Sequence, residues 1–442
     1  MGIEQELPSD WKAQTIEECM SAIIDYRGKT PQKVSFGVPL ITAKIVKGGR
    51  ILDAEEFIAE SDYVAWMRRG MPLPGDVVVT TEAPLGEVAQ LDDRKIALAQ
   101  RLIGLRGKPD RLDNTFLRFA MQAAIVQDQL ASRASGTTVL GIRQAELRHV
   151  EIPLPPLPEQ RAIARVLGGL DDKIELNRRM NRTLEDLARG LFRSWFVDFD
   201  PVTKNSNGRA PATPAGLFPK RLVDSPIGPI PEGWRVSTIG QEVTVVGGST
   251  PSTDEPKFWE GGKHCWVTPR DLSRLTDPVV IDCERRITDA GLTQISSGLM
   301  PRGTVLLSSR APIGYLAIAD VPAAVNQGFI GLKCDKGLPG VFALRWCEEN
   351  MEEVLSRAGG TTFAEISKAA FRPIPMVVPT AEVIEAFARA AQGWHDQIVA
   401  NVRQSRQLAA LRDALLPQLL SGEIRLREAE GIVNTTAQEV LA

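Results

Sequence analysis

The stretch Gly75-Asp-Val-Val-Val-Thr-Thr-Glu-Ala-Pro-Leu-Gly86 is matched by Gly303-Thr-Val-Leu-Leu-Ser-Ser-Arg-Ala-Pro-Ile-Gly314. Each begins with a Gly turn, runs through three buried-type aliphatics and ends at Ala-Pro, the pattern of a strand entered and left by tight turns. Working outward, further pairs keep the same order. Pro8-Ser-Asp-Trp11 matches Pro231-Glu-Gly-Trp234, and Gly28-Lys-Thr-Pro31 matches Gly248-Ser-Thr-Pro251. Ala99-Gln100 matches Asn326-Gln327, Gly136-Thr-Thr138 matches Gly360-Thr-Thr362, and Ile152-Pro153 matches Ile374-Pro375. The offset stays within about 220 to 228 residues, far too long for a solenoid repeat, so the chain is one module duplicated. Each copy reads as short Gly- and Pro-punctuated strands followed by a short helix, about Asn114 to Ser132 and about Val341 to Arg357. A Pro-rich strap comes next, Ile152 to Pro158 and Ile374 to Pro379, and Pro there ends any helix and stiffens the connector.

After each strap comes the sharpest periodicity in the chain. In the first copy Leu170, Ile174, Asn177, Asn181 and Leu184 recur at alternating steps of four and three; in the second, Trp394, Ile398, Asn401, Ser405 and Leu408 do the same. A sustained heptad of this kind predicts long helices with a coiled-coil seam. Both seams turn polar at their centres, a device that lowers stability and sets register. Two similar seams in a duplicated chain are expected to pack on each other as an antiparallel pair. A helix of about 33 residues is about 50 Å long, a spacer between two modules. Asp200 to Pro229, with its run Lys204-Asn-Ser-Asn-Gly-Arg-Ala-Pro-Ala-Thr-Pro214, reads as a linker that buries little, and the tail after about Arg427 as loosely held.

Composition narrows the function. The 442 residues suffice for two to three domains, and 43% hydrophobic with 24% charged residues is an ordinary globular balance. No apolar run reaches the length of a membrane span or forms a leader, which points to the cytoplasm. Five cysteines (Cys19, Cys265, Cys283, Cys334, Cys347) without a C-x-x-C pair argue against a disulfide framework or zinc knuckle. Catalytic signatures fail one by one. Gly28-Lys-Thr30 lacks the first glycine of a phosphate loop, the position being Ile23. Glu255-Pro-Lys257 has no counterpart in the first copy and suits a loop. His149, His264 and His395 lack metal-ligand spacing, and Gly247-Gly248 and Gly261-Gly262 are doublets outside any dinucleotide fingerprint. No Asn-Pro-Pro-aromatic or Asp-Pro-Pro-aromatic tetrapeptide of adenine methyltransferases occurs. The chain reads as non-catalytic, and no metal site is expected.

Net charge is −3 overall; by region it is −2 over 1–155, +2 over 156–210, −1 over 211–379 and −2 over 380–442. No module is basic as a whole, which disfavours a wholesale nucleic-acid coat protein and leaves a local basic face open.

Two α/β modules alternating with two similar long helices resemble the specificity subunits of type I restriction-modification systems (the HsdS family) over about Pro8 to Leu426. The segments that carry the resemblance are Pro153-Leu-Pro-Pro-Leu-Pro-Glu-Gln160, Trp266-Val-Thr-Pro-Arg-Asp-Leu272, Ser309-Arg-Ala-Pro-Ile-Gly-Tyr315, Asn326-Gln-Gly-Phe329 and Leu415-Leu-Pro-Gln-Leu-Leu-Ser-Gly-Glu-Ile424. The second strap departs from it, since Val378-Pro-Thr-Ala lacks Pro-Glu-Gln, and Ala99-Gln100 stands where the second copy has Asn326-Gln327. The resemblance implies an α+β fold with two target-recognition domains in pseudo-two-fold arrangement, separated by two long antiparallel helices. The expected boundaries are 1–155 and 230–379 for the recognition domains, 156–199 and 380–426 for the helices, 200–229 for the linker and 427–442 for the tail. By the same resemblance each domain reads half of a bipartite, asymmetric duplex site. The helices would seat two methyltransferase (HsdM-type) subunits and, with them, motor-nuclease (HsdR-type) subunits. S-adenosylmethionine, ATP and Mg would belong to those partners, with none bound by this chain. The alternatives are a coiled-coil assembly adaptor without sequence reading and a self-sufficient nuclease or methyltransferase.

Arg and Lys read guanine and phosphate, and Asn and Gln read adenine, so DNA contacts are expected from polar loop residues. The candidates are Lys29, Lys44, Lys47, Arg68 and Arg69 in the first module, and Lys257, Lys263, Arg270, Arg274 and Arg310 in the second. Trp259 and Trp266 are expected either to stack on a base or to fill the core.

Overall fold

The computed structural model describes residues 7–26, 30–204, 216–310, 312–360, 364–426 and 428–433. The fold is mixed helix and sheet and divides into two compact units, residues 1–174 with 406–442, and residues 175–405. Both units are built in the same order.

In the first unit the central sheet has the order Met20–Asp25, Leu102–Gly107, Val77–Thr81, Leu85–Gln90, all antiparallel. Val77–Thr81 is buried along its whole length, the property expected of its unbroken apolar run. It is entered through Gly75, whose φ of +86° suits a residue without a Cβ. A smaller sheet lies in the same unit, in the order Ala97–Leu98, Val38–Ile41, Phe57–Ile58, Lys33–Val34. The expected single helix is two, Asn114–Ala120 and Ala124–Ser132. The first is capped by Asp113, which accepts hydrogen bonds from the amides of Thr115 and Phe116.

The second unit repeats this plan. Its sheet runs Thr244–Gly247, Phe329–Lys333, Val305–Ser309, Ile313–Ala319, antiparallel, with Val279–Val280 added in parallel at the edge. Val305–Ser309 is also buried throughout and follows Gly303 at φ +89°. Here too the short helix is broken, into Gly340–Glu349 and Met351–Ser356, with Asn350 between them.

The Pro-rich straps are more than connectors. Glu151–Leu154 pairs antiparallel with Lys12–Thr15, and Pro375–Val378 with Arg235–Thr238. Each pair is a two-stranded ribbon, where a missing proline N–H is tolerated at an edge. The stretch expected as a linker is also partly packed. Pro201, Val202 and Ile230 are buried, and Leu222–Val223 pairs with Ile230–Pro231. The reason is aromatic: Phe199 and Phe218 join Trp195 and Trp234, with Trp195 and Phe218 edge to face at 4.9 Å between centroids. Residues 205–215 of that stretch lie outside the described residues. In the tail, residues 428–433 are helical with Ala429 buried, and the remainder from Arg427 on lies outside the described residues.

Cys265 and Cys283 form a disulfide, with 5.7 Å between their Cα atoms. The sequence argued against a disulfide framework, and a single pair is not one; the pairing joins a strand to a loop 18 residues away, a distance that motif spacing does not encode. Cys19, Cys334 and Cys347 are free. Burial pushes the Cys19 thiol up to about 11 and Cys334 to about 12, so both stay protonated and unreactive.

Two long helices span Leu157–Phe196 and Ala381–Ser421. Within the first unit, Ile163, Leu167 and Leu170 of one pack with Leu415 and Leu419 of the other, and Asp171 meets Arg412 at 2.6 Å. Within the second, Leu184 lies with Ile398 and Val399, and Trp195 with Phe387. In both units ascending residues of one helix meet descending residues of the other, so the two run antiparallel.

Candidate nucleic-acid interface

The matched strands end in one backbone frame that occurs once in each unit. In the first, the amide of Thr81 donates to the carbonyl of Arg101 (2.9 Å), and that of Ile142 to the carbonyl of Thr81 (3.0 Å). Ser135 and Gly141 exchange both backbone hydrogen bonds, and Glu82 bridges to Gly141. In the second, Ser309 donates to Gly328 (2.8 Å) and Ile366 to Ser309 (3.0 Å); Gly359 and Glu365 exchange both bonds, and Arg310 bridges to Glu365. Beside each tip a threonine donates to a glutamine, Thr30 to Gln100 at 3.2 Å and Thr250 to Gln327. Position for position, Glu82 therefore corresponds to Arg310, Arg101 to Gly328 and Gly141 to Glu365.

Only the side chains differ. Glu82 pairs with Arg101 at 3.0 Å and Arg310 with Glu365 at 3.9 Å; all four are partly exposed. The first tip opens on a cavity of about 350 Å³ lined by Thr81, Glu82, Gln100, Arg101, Ser135 and Arg143. With acid, guanidinium, amide and hydroxyl groups on one rim beside Ile142, this surface offers donors and acceptors to a polar edge.

The sequence candidates distribute as follows. Lys29 lies outside the described residues. Lys44 and Lys47 are exposed, Lys47 in the hairpin Val46–Lys47 and Arg50–Ile51 that turns through Gly48 and Gly49 at positive φ. Arg68 and Arg69 are exposed after the turn Tyr63–Trp66, and Arg69 donates to the carbonyl of Asp25 at 2.9 Å. Lys257 sits on a one-turn 3-10 helix and pairs with Glu255 at 3.2 Å. Lys263 and Arg270 are exposed, and Arg274 is tied to Glu284 at 2.6 Å. Only Arg310 among them stands in the repeated frame. Trp266 is buried, meeting Trp259 edge to face at 5.0 Å, while the Arg285 guanidinium covers Trp259 at 3.9 Å. Trp266 thus fills the core, and Trp259 is half-buried with one face taken by Arg285.

The helix seam divides by burial. Leu170, Ile174, Asn177, Asn181, Ile398 and Asn401 are buried, while Leu184, Trp394, Ser405 and Leu408 are half-buried. The polar centre is a hydrogen-bonded layer that leaves one buried acceptor, Asn177 Oδ1, without a partner. The Asn177 amide donates to Gln404 (2.9 Å) and Ser405 (3.2 Å), and the Asn401 amide to Asn181 (2.8 Å); Gln397 donates to Asn401 (2.9 Å).

Two further groups escaped the sequence reading. The matched triplets Leu117-Arg118-Phe119 and Leu344-Arg345-Trp346 each send an arginine from a module helix onto the first long helix. Arg118 meets Asp171 at 3.0 Å in the first unit, and Arg345 meets Glu185 at 2.8 Å in the second, where both partners are less than a tenth exposed. Burial holds the Glu185 carboxyl above its ordinary range against the pull of Arg345. The second group explains Pro158-Glu-Gln160. Gln160, fully buried, accepts from the amide of Asp113 and donates to the carbonyls of Arg111 and Pro155, while Glu159 accepts from the Trp11 indole at 3.2 Å. The signal for the first was an arginine repeated between apolar neighbours in both copies, and for the second Pro158-Glu-Gln160 in the first copy alone.

Among the described residues, no cluster of three His, Cys, Asp or Glu that could hold a metal ion occurs, and no helix is long and apolar enough to cross a membrane.

A sheet module presented twice, on one frame with different tips and carried on long antiparallel helices, defines a two-site binding protein. The model of the type I restriction modification DNA specificity domain matches residues 8–186 and 231–388, and the chain belongs to that family. It is 25% identical over 444 residues to the type I restriction enzyme MjaIX specificity subunit of Methanocaldococcus jannaschii, covering 96% of this chain and 95% of that one. It is also 25% identical over 320 residues to the HindI specificity subunit of Haemophilus influenzae, covering 62% of this chain and 69% of that one. The structure of the type I restriction-modification S subunit from M. genitalium superposes with a TM-score of 0.57 at 16% identity, over 94% of this chain and 98% of that one, a likeness of fold.

Proposed function

We propose that this chain is the DNA-reading subunit of a type I restriction-modification complex, and that it supplies address and no chemistry. Residues 1–155 and 230–379 would each read one half of a bipartite, asymmetric duplex site. The long helices, with the expected bounds 156–199 and 380–426, would set the gap between halves and seat two methyltransferase subunits that methylate adenine at N6. Motor-nuclease subunits would complete the complex, and S-adenosylmethionine, ATP and Mg would reside on those partners, in the cytoplasm. The observation that carries this reading is the tip frame, whose backbone hydrogen bonds recur in both units while its side chains diverge. A purely structural adaptor has no use for two different tips on one frame, whereas a reader of two different half-sites requires them. Lys44, Lys47, Arg68, Lys263 and Arg270 then serve as phosphate contacts, which position the module without selecting sequence.

Co-expression with the cognate methyltransferase subunit and genome-wide mapping of N6-methyladenine tests the reading. A single bipartite, non-palindromic motif is the expected result. An assembled complex that methylates no such motif, or that binds every duplex equally, would overturn it.

A further inference from the structure

We propose that the strand-tip residue of each module is its base-discriminating position, and that inversion of charge there makes the half-sites chemically unlike. Glu82 would select a base offering an exocyclic amino group in the major groove (cytosine N4 or adenine N6), and Arg310 would select guanine. The inference rests on the reading of the chain as a DNA-specificity subunit.

Three observations carry it. First, the frames around residues 82 and 310 share the same backbone hydrogen bonds to the neighbouring strand and loop, so both side chains leave the sheet from equivalent, fixed points. Preorganisation of this kind is what base reading needs, because a shift of an ångström misplaces a bidentate pair. Second, the polarity is inverted around the frame. Acid stands at the first tip with Arg101 beside it; base stands at the second with Glu365 beside it and Gly328 where the arginine was. The glutamine and threonine next to each tip are the same in both units, so they cannot tell one half-site from the other. The charged pair can. Third, both ion pairs are exposed, with side chains 36% to 49% accessible, and exposed pairs hold weakly. Either tip is therefore cheaply released from its protein partner to a base edge. Carboxylate accepts from C N4 or A N6, and the guanidinium fork donates to G O6 and N7, so each tip rejects the other's base by presenting a group of the wrong polarity. At the first tip the cavity of about 350 Å³ gives that edge room.

The complete methyltransferase complex, co-expressed with wild-type, Glu82→Gln, Arg310→Ala or Arg310→Lys chains, is read by mapping N6-methyladenine across the genome. Arg310→Ala is expected to lose about tenfold to a hundredfold discrimination at one guanine of one half-site and to leave the other half unchanged. Arg310→Lys keeps charge while removing the fork, and is expected to relax the same position to a lesser degree, which guards against loss of assembly. Glu82→Gln is expected to relax a cytosine or adenine position in the opposite half only. A wild-type bipartite motif that keeps full stringency at every position in all three variants would overturn the proposal and leave the specificity reading standing. A wild-type complex with no bipartite motif would instead overturn the reading on which it rests.

Discussion

At the scale of single residues the buried charges decide most. Arg345 and Glu185 are nearly enclosed, and Arg345 also reaches Glu348 at 2.8 Å. Removing one partner strands the other in a poorly solvated site. Arg345→Met is expected to cost about 3–5 kcal/mol of stability in urea unfolding of the full chain, and Arg345→Met with Glu185→Met to recover most of it. His395 behaves differently. Burial holds its imidazole below the ordinary 6.5, against the upward pull of Asp396 and Asp320. The unfolded chain takes up a proton near 6.5 while the folded chain resists until lower pH, so stability is present above 6.5 and falls as pH drops below it. Thermal unfolding at pH 7 and pH 5.5 checks this: the midpoint should fall between the two in the wild type and fall less in His395→Gln. Neither residue stands out in sequence, because burial is a property of the neighbours. The arginine of the Leu-Arg-aromatic triplets was legible only by comparing the copies, and its partner, one turn or another along a 40-residue helix, was not legible at all.

At the scale of elements the heptads were the most readable feature, since a helical period records which face is buried without reference to its partner. What they did not disclose is the geometry of the polar layer. Asn177 donates to Gln404 and Ser405 and Asn401 donates to Asn181, with Gln404 outside the heptad positions altogether and Asn177 Oδ1 left unpartnered. Asn401→Ala leaves the Asn181 carbonyl and the Gln397 amide without their partner, and should cost about 1–3 kcal/mol in urea unfolding. Gln160 makes the parallel case at a helix start. Gln160→Ala orphans three backbone groups and should destabilise the chain by a similar amount of about 1–3 kcal/mol in urea unfolding. The short helices, by contrast, were read as continuous and are broken, the first where Ala123 turns extended (φ −64°, ψ 142°) and the second at Asn350 (φ −101°, ψ 17°).

For the whole molecule, duplication has a direct consequence: a module that reads its half-site alone is exchangeable. Replacing residues 1–150 with the corresponding segment of another family member should change one half of the methylated motif and preserve the other, as seen by N6-methyladenine mapping. A change in both halves would show that the halves are not read independently. No region is strongly basic, so on the proposed reading the complete complex should hold DNA better than this chain alone, and binding should weaken as salt rises. The sequence by itself determined the duplication, the order of strand, strap and long helix, and the heptad faces, since each is written in local spacing that any copy must preserve to bury its own apolar surface. The tertiary structure alone decided which polar residues meet. The charge-inverted tips, the arginines docked on the long helix, the Gln160 clamp and the Cys265–Cys283 pair all join residues distant in the chain, and such contacts arise from how elements pack, a matter on which local spacing is silent.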